Sequence, residues 1–137
     1  MAIERISPEE ARALVDEQGY AYLDVRSVPE FEAGHPVGAY NVPLLHMGPG
    51  GMSPNPDFLS VVQKAFSPDA KLVLGCKAGG RSLRAAEVLQ SAGFTSIVDQ
   101  RAGFEGSPAE PGWRPRGLPT TTKAAPGRAY HNLRAKP

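Results

Sequence analysis

Short apolar segments alternate with segments of helical character along most of the chain, and this alternation restricts the fold more than any other feature. Strands that are joined by helices run parallel and form a sheet covered on both faces. The patterns predict strands at residues 3–6, 20–25, 39–42, 71–75 and 97–98, and helices at residues 8–17, 29–32, 58–66 and 82–92. The sequence therefore predicts an α/β domain with a mostly parallel sheet.

Specific residues mark two of the helix ends. Ser7, Pro8 and Glu10 have the pattern of an N-cap, a first-turn proline and a capping box. Gly93 follows the helix predicted at residues 82–92, at the position where a left-handed cap is common. Residues 43–56 are rich in glycine and proline, and they are predicted to form a loop.

The size and charge of the chain exclude several classes of protein. Its 137 residues suit one domain with one core, and no apolar run is long enough to span a membrane. A formal net charge of +1 argues against a nucleic-acid partner. Basic residues and prolines concentrate near the C-terminus. We therefore expect a folded domain at residues 1–119 and a basic, proline-containing tail at residues 120–137 that is loosely ordered.

Cys76 is the only cysteine of the chain, which excludes an internal disulfide and a zinc site built on several thiolates. The histidines are His35, His46 and His131, and because they are scattered the sequence predicts no metal site. A single cysteine is either a buried core residue or a nucleophile. Its neighbours decide between the two.

The segment from Cys76 to Arg81 joins a buried strand to a helix, and its composition predicts an anion-binding loop. The first N–H groups of a helix lack partners and favour negative charge. Gly79 and Gly80 allow successive N–H groups to turn inward, and Lys77 and Arg81 add positive charge. A cysteine in this place is expected to be an exposed thiolate held by a cradle of donors, with no histidine needed as a base.

Short motifs follow one another in a fixed order over residues 3–119. They are Asp24-Val25-Arg26, Glu30-Phe31, Gly34-His35, Gly38-Ala39, Asn41-Val42-Pro43, Cys76-x-x-Gly79-x-Arg81-Ser82, Ala85-Ala86, Leu89, Gly93-Phe94 and Gly117-Leu118-Pro119. Each motif is weak alone, but the collinear set resembles the rhodanese family, most of all its single-domain, plant-type members. The resemblance implies a rhodanese-like fold with a central parallel sheet of about five strands and helices on both faces.

The resemblance also implies thiosulfate sulfurtransferase activity. In that family the loop cysteine attacks the outer sulfur of thiosulfate, sulfite leaves, and the cysteine carries a persulfide until cyanide or a thiol removes the sulfur. Carried onto this sequence, Cys76 is the catalytic residue. The implied substrate-binding residues are Lys77, Ala78, Gly79, Gly80 and Arg81. The implied structural supports are Asp24 and Arg26.

The resemblance further limits the expected ligands. It implies no metal and no organic cofactor. The expected partners are a small-molecule sulfur donor and a thiol or cyanide acceptor, with a thiol protein as a further candidate. Neither a nucleic acid nor a membrane is expected.

Two alternative functions stay open from the sequence. A cysteine phosphatase or arsenate reductase is the main rival enzyme, but such phosphatases have a Cys-x5-Arg loop, whereas Cys76 and Arg81 enclose four residues. The shorter loop should fit one added sulfur better than a tetrahedral oxyanion. A sulfur carrier or redox partner that another protein loads would use the same loop. The near match of residues 75–82 to a nucleotide-binding P-loop is interpreted as a coincidence of two anion-binding loops.

The first residues of the chain bear on its location. Met1 to Arg5 include an acidic residue where a secretory signal would have basic and then apolar residues. They also lack the composition of a transit peptide. A cytoplasmic location is therefore expected, with the plastid stroma as the alternative if a leader has been removed.

Overall fold

A five-stranded parallel sheet forms the centre of the computed structural model, which describes residues 2–136. The strands are β1 (Glu4–Ile6), β2 (Ala21–Asp24), β3 (His35–Pro36), β4 (Tyr40–Asn41), β5 (Leu45–Gly48), β6 (Gly51–Pro54), β7 (Lys71–Gly75), β8 (Ser96–Gln100) and β9 (Thr120–Thr121). The helices are α1 (Pro8–Glu17), α2 (Val28–Ala33), α3 (Phe58–Ala65), α4 (Gly80–Ser91) and α5 (Tyr130–Arg134).

The central sheet has the strand order β1–β8–β7–β2–β4, and every neighbouring pair is parallel. Side chains alternate across the sheet, so Leu72 and Leu74 of β7 face one apolar cluster while Val73 faces the other. Helices α3, α4 and α5 cover the first face, and α1 and α2 contribute to the second. The predicted α/β class, five-stranded parallel sheet and two covered faces are confirmed.

The start of α1 follows directly from its local sequence. The Ser7 side chain accepts a hydrogen bond from the Glu10 N–H at 3.1 Å, and the Glu10 carboxylate accepts one from the Ser7 N–H at 2.9 Å. Pro8 occupies the first turn, where its missing N–H is not needed. At the other predicted cap, Gly93 follows α4 with a φ of +101°. The expected caps are confirmed because each depends on neighbouring residues only.

The segment predicted as a loop at residues 43–56 contains a β-hairpin instead. Strands β5 and β6 pair antiparallel, with Met47 opposite Met52 and Gly48 opposite Gly51. Pro49 and Gly50 connect them. The prediction missed this hairpin because most of its residues are exposed, so the sequence has no apolar alternation to mark the strands.

The C-terminal residues also differ from the loosely ordered tail that the sequence predicts. Strand β9 pairs antiparallel with β3, and α5 places Tyr130 and Leu133 in the core cluster under the sheet. These two side chains are only 7% and 1% exposed. The sequence analysis missed this apolar pair because basic residues and prolines dominate the composition of the segment. The spacing of three residues puts both side chains on one face of a helix.

Among residues 2–136, no helix combines the length and the apolarity that crossing a lipid bilayer requires.

Candidate active site

The loop that carries Cys76 lies at the carboxyl end of β7, the middle strand of the sheet, and leads into α4. Ligands of open parallel sheets bind at this edge. The helix begins at Gly80, two residues earlier than predicted, so the loop proper is only four residues long. Its tight turn places the N–H of Gly79, the N-cap residue of α4, beside the cysteine.

Cys76 is enclosed by its own loop. The Gly79 N–H donates a hydrogen bond to Cys76 Sγ at 3.0 Å, and the residue belongs to the core cluster with 2% exposure. The predicted cradle of donors thus has one member in contact with the sulfur. The prediction of an exposed sulfur is wrong, because the loop turns back over the side chain and closes it against the sheet.

The conformation of the loop requires glycine at position 79. Gly79 has a φ of +105°, which side chains strongly disfavour. A Cβ atom built there would lie 2.2 Å from the Arg101 carbonyl oxygen and 3.0 Å from Arg5 Nη2. The loop is therefore packed too closely against β1 and the end of β8 for any larger residue.

Replacing Gly79 with alanine should destabilise the protein more than the same change at Gly93. Both glycines have nearly the same positive φ, but nothing lies within 4 Å of a Cβ atom at Gly93. Gly93→Ala should therefore cost only the backbone strain, about 1–2 kcal/mol, and Gly79→Ala about 1–3 kcal/mol more from overpacking. Urea unfolding of both variants measures the difference. Equal losses would mean that the loop is not packed against Arg101.

Residues after β8 hold the carbonyl groups of the loop. The Cys76 carbonyl accepts a hydrogen bond from the Phe104 N–H at 2.7 Å, and the Lys77 carbonyl accepts from the N–H groups of Glu105 and Gly106 at 3.0 and 3.1 Å. A Cβ atom on Gly103 would lie 2.4 Å from the Lys77 oxygen. With these carbonyls bonded on one side, the N–H groups of the loop are directed away from residues 103–106.

A second contact holds the loop from β1 and was missed by the sequence analysis. Arg5 donates from Nη2 to the Gly79 carbonyl at 3.1 Å and from Nε to Asp99 Oδ2 at 2.8 Å. Burial raises the pKa of Asp99, and the hydrogen bond from Arg5 acts in the opposite direction. No local sequence pattern could have predicted this contact, because Arg5 and Asp99 are 94 positions apart.

The Arg81 side chain binds Glu30 and so holds the loop. Its Nη1 and Nη2 atoms donate to the two carboxylate oxygens of Glu30 at 2.7 and 3.0 Å. Glu30 also accepts hydrogen bonds from the N–H and hydroxyl of Ser27 at 3.1 and 2.8 Å. The implied role in substrate binding is therefore left to the Arg81 N–H group, since the guanidinium ties α4 to α2.

The Glu30–Arg81 pair should make stability depend on acidic pH. Burial acts to raise the pKa of Glu30, but hydrogen bonds from Arg81 and Ser27 outweigh it and lower the pKa from 4.5 to about 2. Between these values the unfolded chain binds a proton that the folded protein does not, so stability falls as the pH falls. We expect a loss of roughly 1–2 kcal/mol between pH 5 and pH 2, allowing for solvent screening.

Urea unfolding midpoints across that range measure this loss. The Glu30→Gln variant cannot ionise at this position and should lose less stability over the same range. Equal pH dependence in the two proteins would contradict the assignment.

Asp24 and Arg26 form a buried ion pair at the end of β2. Arg26 Nη2 lies 2.8 Å from Asp24 Oδ2, and the side chains are 4% and 2% exposed. Arg26 also donates to the Gly34 carbonyl at 2.6 Å, and its guanidinium lies 4.4 Å from the centre of the Phe104 ring. The pair connects β2 to the chain after α2 and to the segment that holds the loop, which is the geometry of the structural support implied for it.

A cleft of about 720 Å³ opens beside the loop. The exposed side chain of Lys77 lines it, and Lys77 takes part in none of the ion pairs found among residues 2–136. The other lining residues come from α2 and its flanks, the segment after β8 and the C-terminal segment; they are Arg26, Glu30, Ala33, Gly34, Phe104, Glu105, Arg114, Thr120, Thr121 and Thr122. The cleft thus offers an anion the ammonium of Lys77, the residue that follows Cys76, while the Arg26 and Arg114 side chains in the cleft are paired with carboxylates.

The described part of the chain holds no group of three or more histidine, cysteine, aspartate or glutamate side chains that could bind a metal ion.

Comparisons with known proteins agree with this architecture. The chain is similar to thiosulfate sulfurtransferase 16, chloroplastic, of Arabidopsis thaliana, at 44% identity over 102 residues that cover 74% of this chain and 80% of that protein. It is 41% identical over 100 residues to the senescence-associated protein DIN1 of Raphanus sativus, covering 73% of this chain and 52% of that protein. The chain thus spans about half the length of the radish relative.

Solved structures and a family sequence pattern complete the comparison. The crystal structure of Rv0390 from M. tuberculosis superimposes with a TM-score of 0.75 at 27% identity, covering 90% of this chain and 100% of that one. The sequence pattern of the rhodanese-like domain matches residues 7–107, which include helix α1, the Cys76 loop and strand β8. The chain therefore belongs to the rhodanese family.

Proposed function

We propose that this protein is a thiosulfate sulfurtransferase that moves a sulfane sulfur to cyanide or a thiol through a persulfide on Cys76. The observation that carries the proposal is the Gly79 N–H donating to Cys76 Sγ at the N-terminus of α4. A sulfur anion is favoured in such a place by the backbone donor and by the helix dipole. Sulfur transfer as a general activity is supported by the family membership and by the Arabidopsis relative, which is named a thiosulfate sulfurtransferase.

The proposed reaction has two displacement steps. The Cys76 thiolate attacks the outer sulfur of thiosulfate, the sulfur–sulfur bond of thiosulfate breaks, and sulfite leaves with the bonding electron pair. The outer sulfur then remains on Cys76 as a persulfide anion. In the second step cyanide attacks that sulfur, forms thiocyanate and releases the Cys76 thiolate. A thiolate acceptor reacts in the same way and leaves as a persulfide.

The residues of the loop have distinct proposed roles in these steps. Lys77, Ala78, Gly79, Gly80 and Arg81 present their N–H groups to the added sulfur and the entering anion. The Lys77 ammonium attracts the sulfonate end of thiosulfate from the cleft. The Arg81 and Arg26 side chains, each bonded to a carboxylate, keep the loop and the strand end in place.

The engaged guanidinium of Arg81 also favours sulfur over phosphate as the substrate. A cysteine phosphatase needs its loop arginine to bind the phosphate oxygens, but Arg81 already makes two hydrogen bonds to Glu30. A phosphate ester would have to break that pair. Phosphatase or arsenate reductase activity is therefore the weaker candidate.

Substituting Lys77 with alanine should raise KM for thiosulfate about tenfold and change kcat less, because the ammonium attracts the anion in the ground state and the transition state alike. Steady-state cyanide assays over a range of thiosulfate concentrations separate the two constants. Lys71→Ala is the matched control, since Lys71 is an exposed lysine at the opposite end of β7. A fall in kcat with KM unchanged would instead assign Lys77 to the transition state.

Intact mass spectrometry after brief incubation with thiosulfate tests the proposed intermediate. The protein should gain the mass of one sulfur atom, and dithiothreitol should remove it. Reduction is the essential control, because oxidation of a cysteine to a sulfinic acid adds nearly the same mass and is not reversed by a thiol. No gain with thiosulfate would contradict the proposed donor. Gain from a persulfide-loaded protein alone would favour the sulfur carrier that the sequence left open.

We further propose that the protein is located in the plastid stroma. The Arabidopsis relative is named as chloroplastic, which favours the plastid stroma over the cytoplasm expected from the N-terminal residues. Fluorescence of the full-length protein tagged at its C-terminus, in the cells it comes from, would distinguish the two.

A further inference from the structure

One wall of the cleft beside Lys77 comes from the C-terminal segment. Thr120, Thr121 and Thr122 line the cleft together with Lys77 and Arg26. They lie beyond residues 7–107, which match the family pattern. The wall therefore lies outside the part of the chain that the family pattern matches.

Backbone hydrogen bonds hold this wall in place. Thr120 and Thr121 pair with Pro36 and His35 in the short β3–β9 ladder. The Val37 N–H donates to the Pro119 carbonyl at 3.2 Å, immediately before the wall. These backbone bonds fix the distance between the C-terminal segment and the turn after α2.

The rest of the segment is anchored by residues that follow the wall along the chain. Arg128 donates to the Gly38 carbonyl at 2.8 Å, and its own carbonyl accepts from the Asn41 N–H at 3.0 Å. The Tyr130 hydroxyl accepts a hydrogen bond from Asn55 at 3.2 Å, and Leu133 is buried in the core. A wall with anchors on both sides cannot move away freely when a ligand enters.

The dimensions of the cleft exceed what the donor needs. Thiosulfate is close to sulfate in size and would fill only a small part of about 720 Å³. Lys77 and the three threonines line this cleft, and its two carboxylates, Glu30 and Glu105, are each paired with an arginine. That combination suits a larger acceptor that carries a carboxylate, since the Lys77 ammonium can donate hydrogen bonds to the carboxylate while the threonine side chains limit the width of the cleft.

We propose that Thr120, Thr121 and Thr122 determine which acceptors reach the persulfide, by setting the width of the cleft for thiols that carry a carboxylate. This inference rests on the proposed function, because it assumes a persulfide on Cys76. Small acceptors such as cyanide occupy little of the cleft, whereas a tripeptide thiol must lie along the threonine wall. The wall therefore acts on the second step of the reaction more than on the first.

Opposite substitutions at Thr122 test the proposal. Thr122 is exposed, so a larger side chain can be accommodated there without entering the core. With thiosulfate as donor, kcat/KM is measured for glutathione and for cyanide in each variant. Thr122→Phe should lower the glutathione-to-cyanide ratio about tenfold, and Thr122→Ala should raise it about twofold. Thr95→Phe is the control, because Thr95 is exposed at the opposite edge of the sheet and both rates should stay unchanged.

The outcomes separate the two proposals. An unchanged ratio in both Thr122 variants, or an equal loss with both acceptors, overturns the role of the wall while the persulfide mechanism stands. Failure of the wild-type protein to transfer sulfur to either acceptor overturns the proposed function, and this inference with it. If Thr122→Phe lowers the unfolding temperature, the glutathione-to-cyanide ratio of the Thr122→Ala variant still tests the role of the wall.

Discussion

Sulfur transfer should fall by more than about a thousandfold when Cys76 is replaced by serine, because no other cysteine is available to form the persulfide. Serine oxygen is a poor nucleophile without an adjacent base, and the carboxylates of Asp24 and Glu30 are already paired with arginines. Thiocyanate formation from thiosulfate and cyanide measures the loss.

The same variant should remain folded. Serine is smaller than cysteine, and its hydroxyl oxygen can accept the hydrogen bond that the Gly79 N–H donates to Sγ. The free energy of unfolding should change by only about 1 kcal/mol. Residual turnover close to that of the wild-type protein would refute Cys76 as the carrier. Loss of activity together with unfolding would not assign the chemistry, so circular dichroism and urea unfolding accompany the assay.

The second large effect concerns the buried pair at the end of β2. Replacing Arg26 with methionine should lower the free energy of unfolding by about 3–5 kcal/mol, because it leaves the Asp24 carboxylate buried without its counter-charge. Asp24 is buried, and Arg26 supplies hydrogen bonds to both of its carboxylate oxygens at 2.8–3.1 Å. Urea unfolding at neutral pH measures the loss.

Two further variants separate the charge from the packing. Arg12→Met removes an exposed partner of Asp16, 3.4 Å away on the same helix, and should cost less than about 0.5 kcal/mol. Adding Asp24→Asn to Arg26→Met should recover part of the loss, because the uncompensated charge is then gone. If Arg26→Met cost no more than Arg12→Met, the pair would not be the internal support that the structure describes.

The local sequence was sufficient to predict most of the sheet and helices. The capping box at Ser7 and Glu10, the apolar run of β7 and the glycine after α4 all act within a few residues, so they are visible in the chain itself. The five parallel strands follow from the alternation of these elements. The β5–β6 hairpin was not predicted, because its exposed strands have no apolar face and the sequence pattern of a strand depends on such a face.

The sequence also located the candidate site without describing its geometry. Glycines, basic residues and a cysteine at the end of a buried strand indicate an anion-binding loop, since backbone conformation and helix dipole are local properties. That Arg81 binds Glu30 is not readable locally, because the two residues are 51 positions apart. The position of the Cys76 loop likewise depends on residues 101–106, which contact its backbone only in the folded chain.

The sequence alone is enough to assign the class of fold, the candidate reactive residue and the anion-binding character of the loop around it. The tertiary structure decided which basic groups are free to meet an anion and which are tied to carboxylates. It also decided that the C-terminal segment belongs to the domain and lines the cleft. These contacts join residues that are far apart along the chain. Side chains such as Arg5, Arg81 and Leu133 contact their partners only when packing brings remote segments together, so no local sequence pattern predicts those contacts.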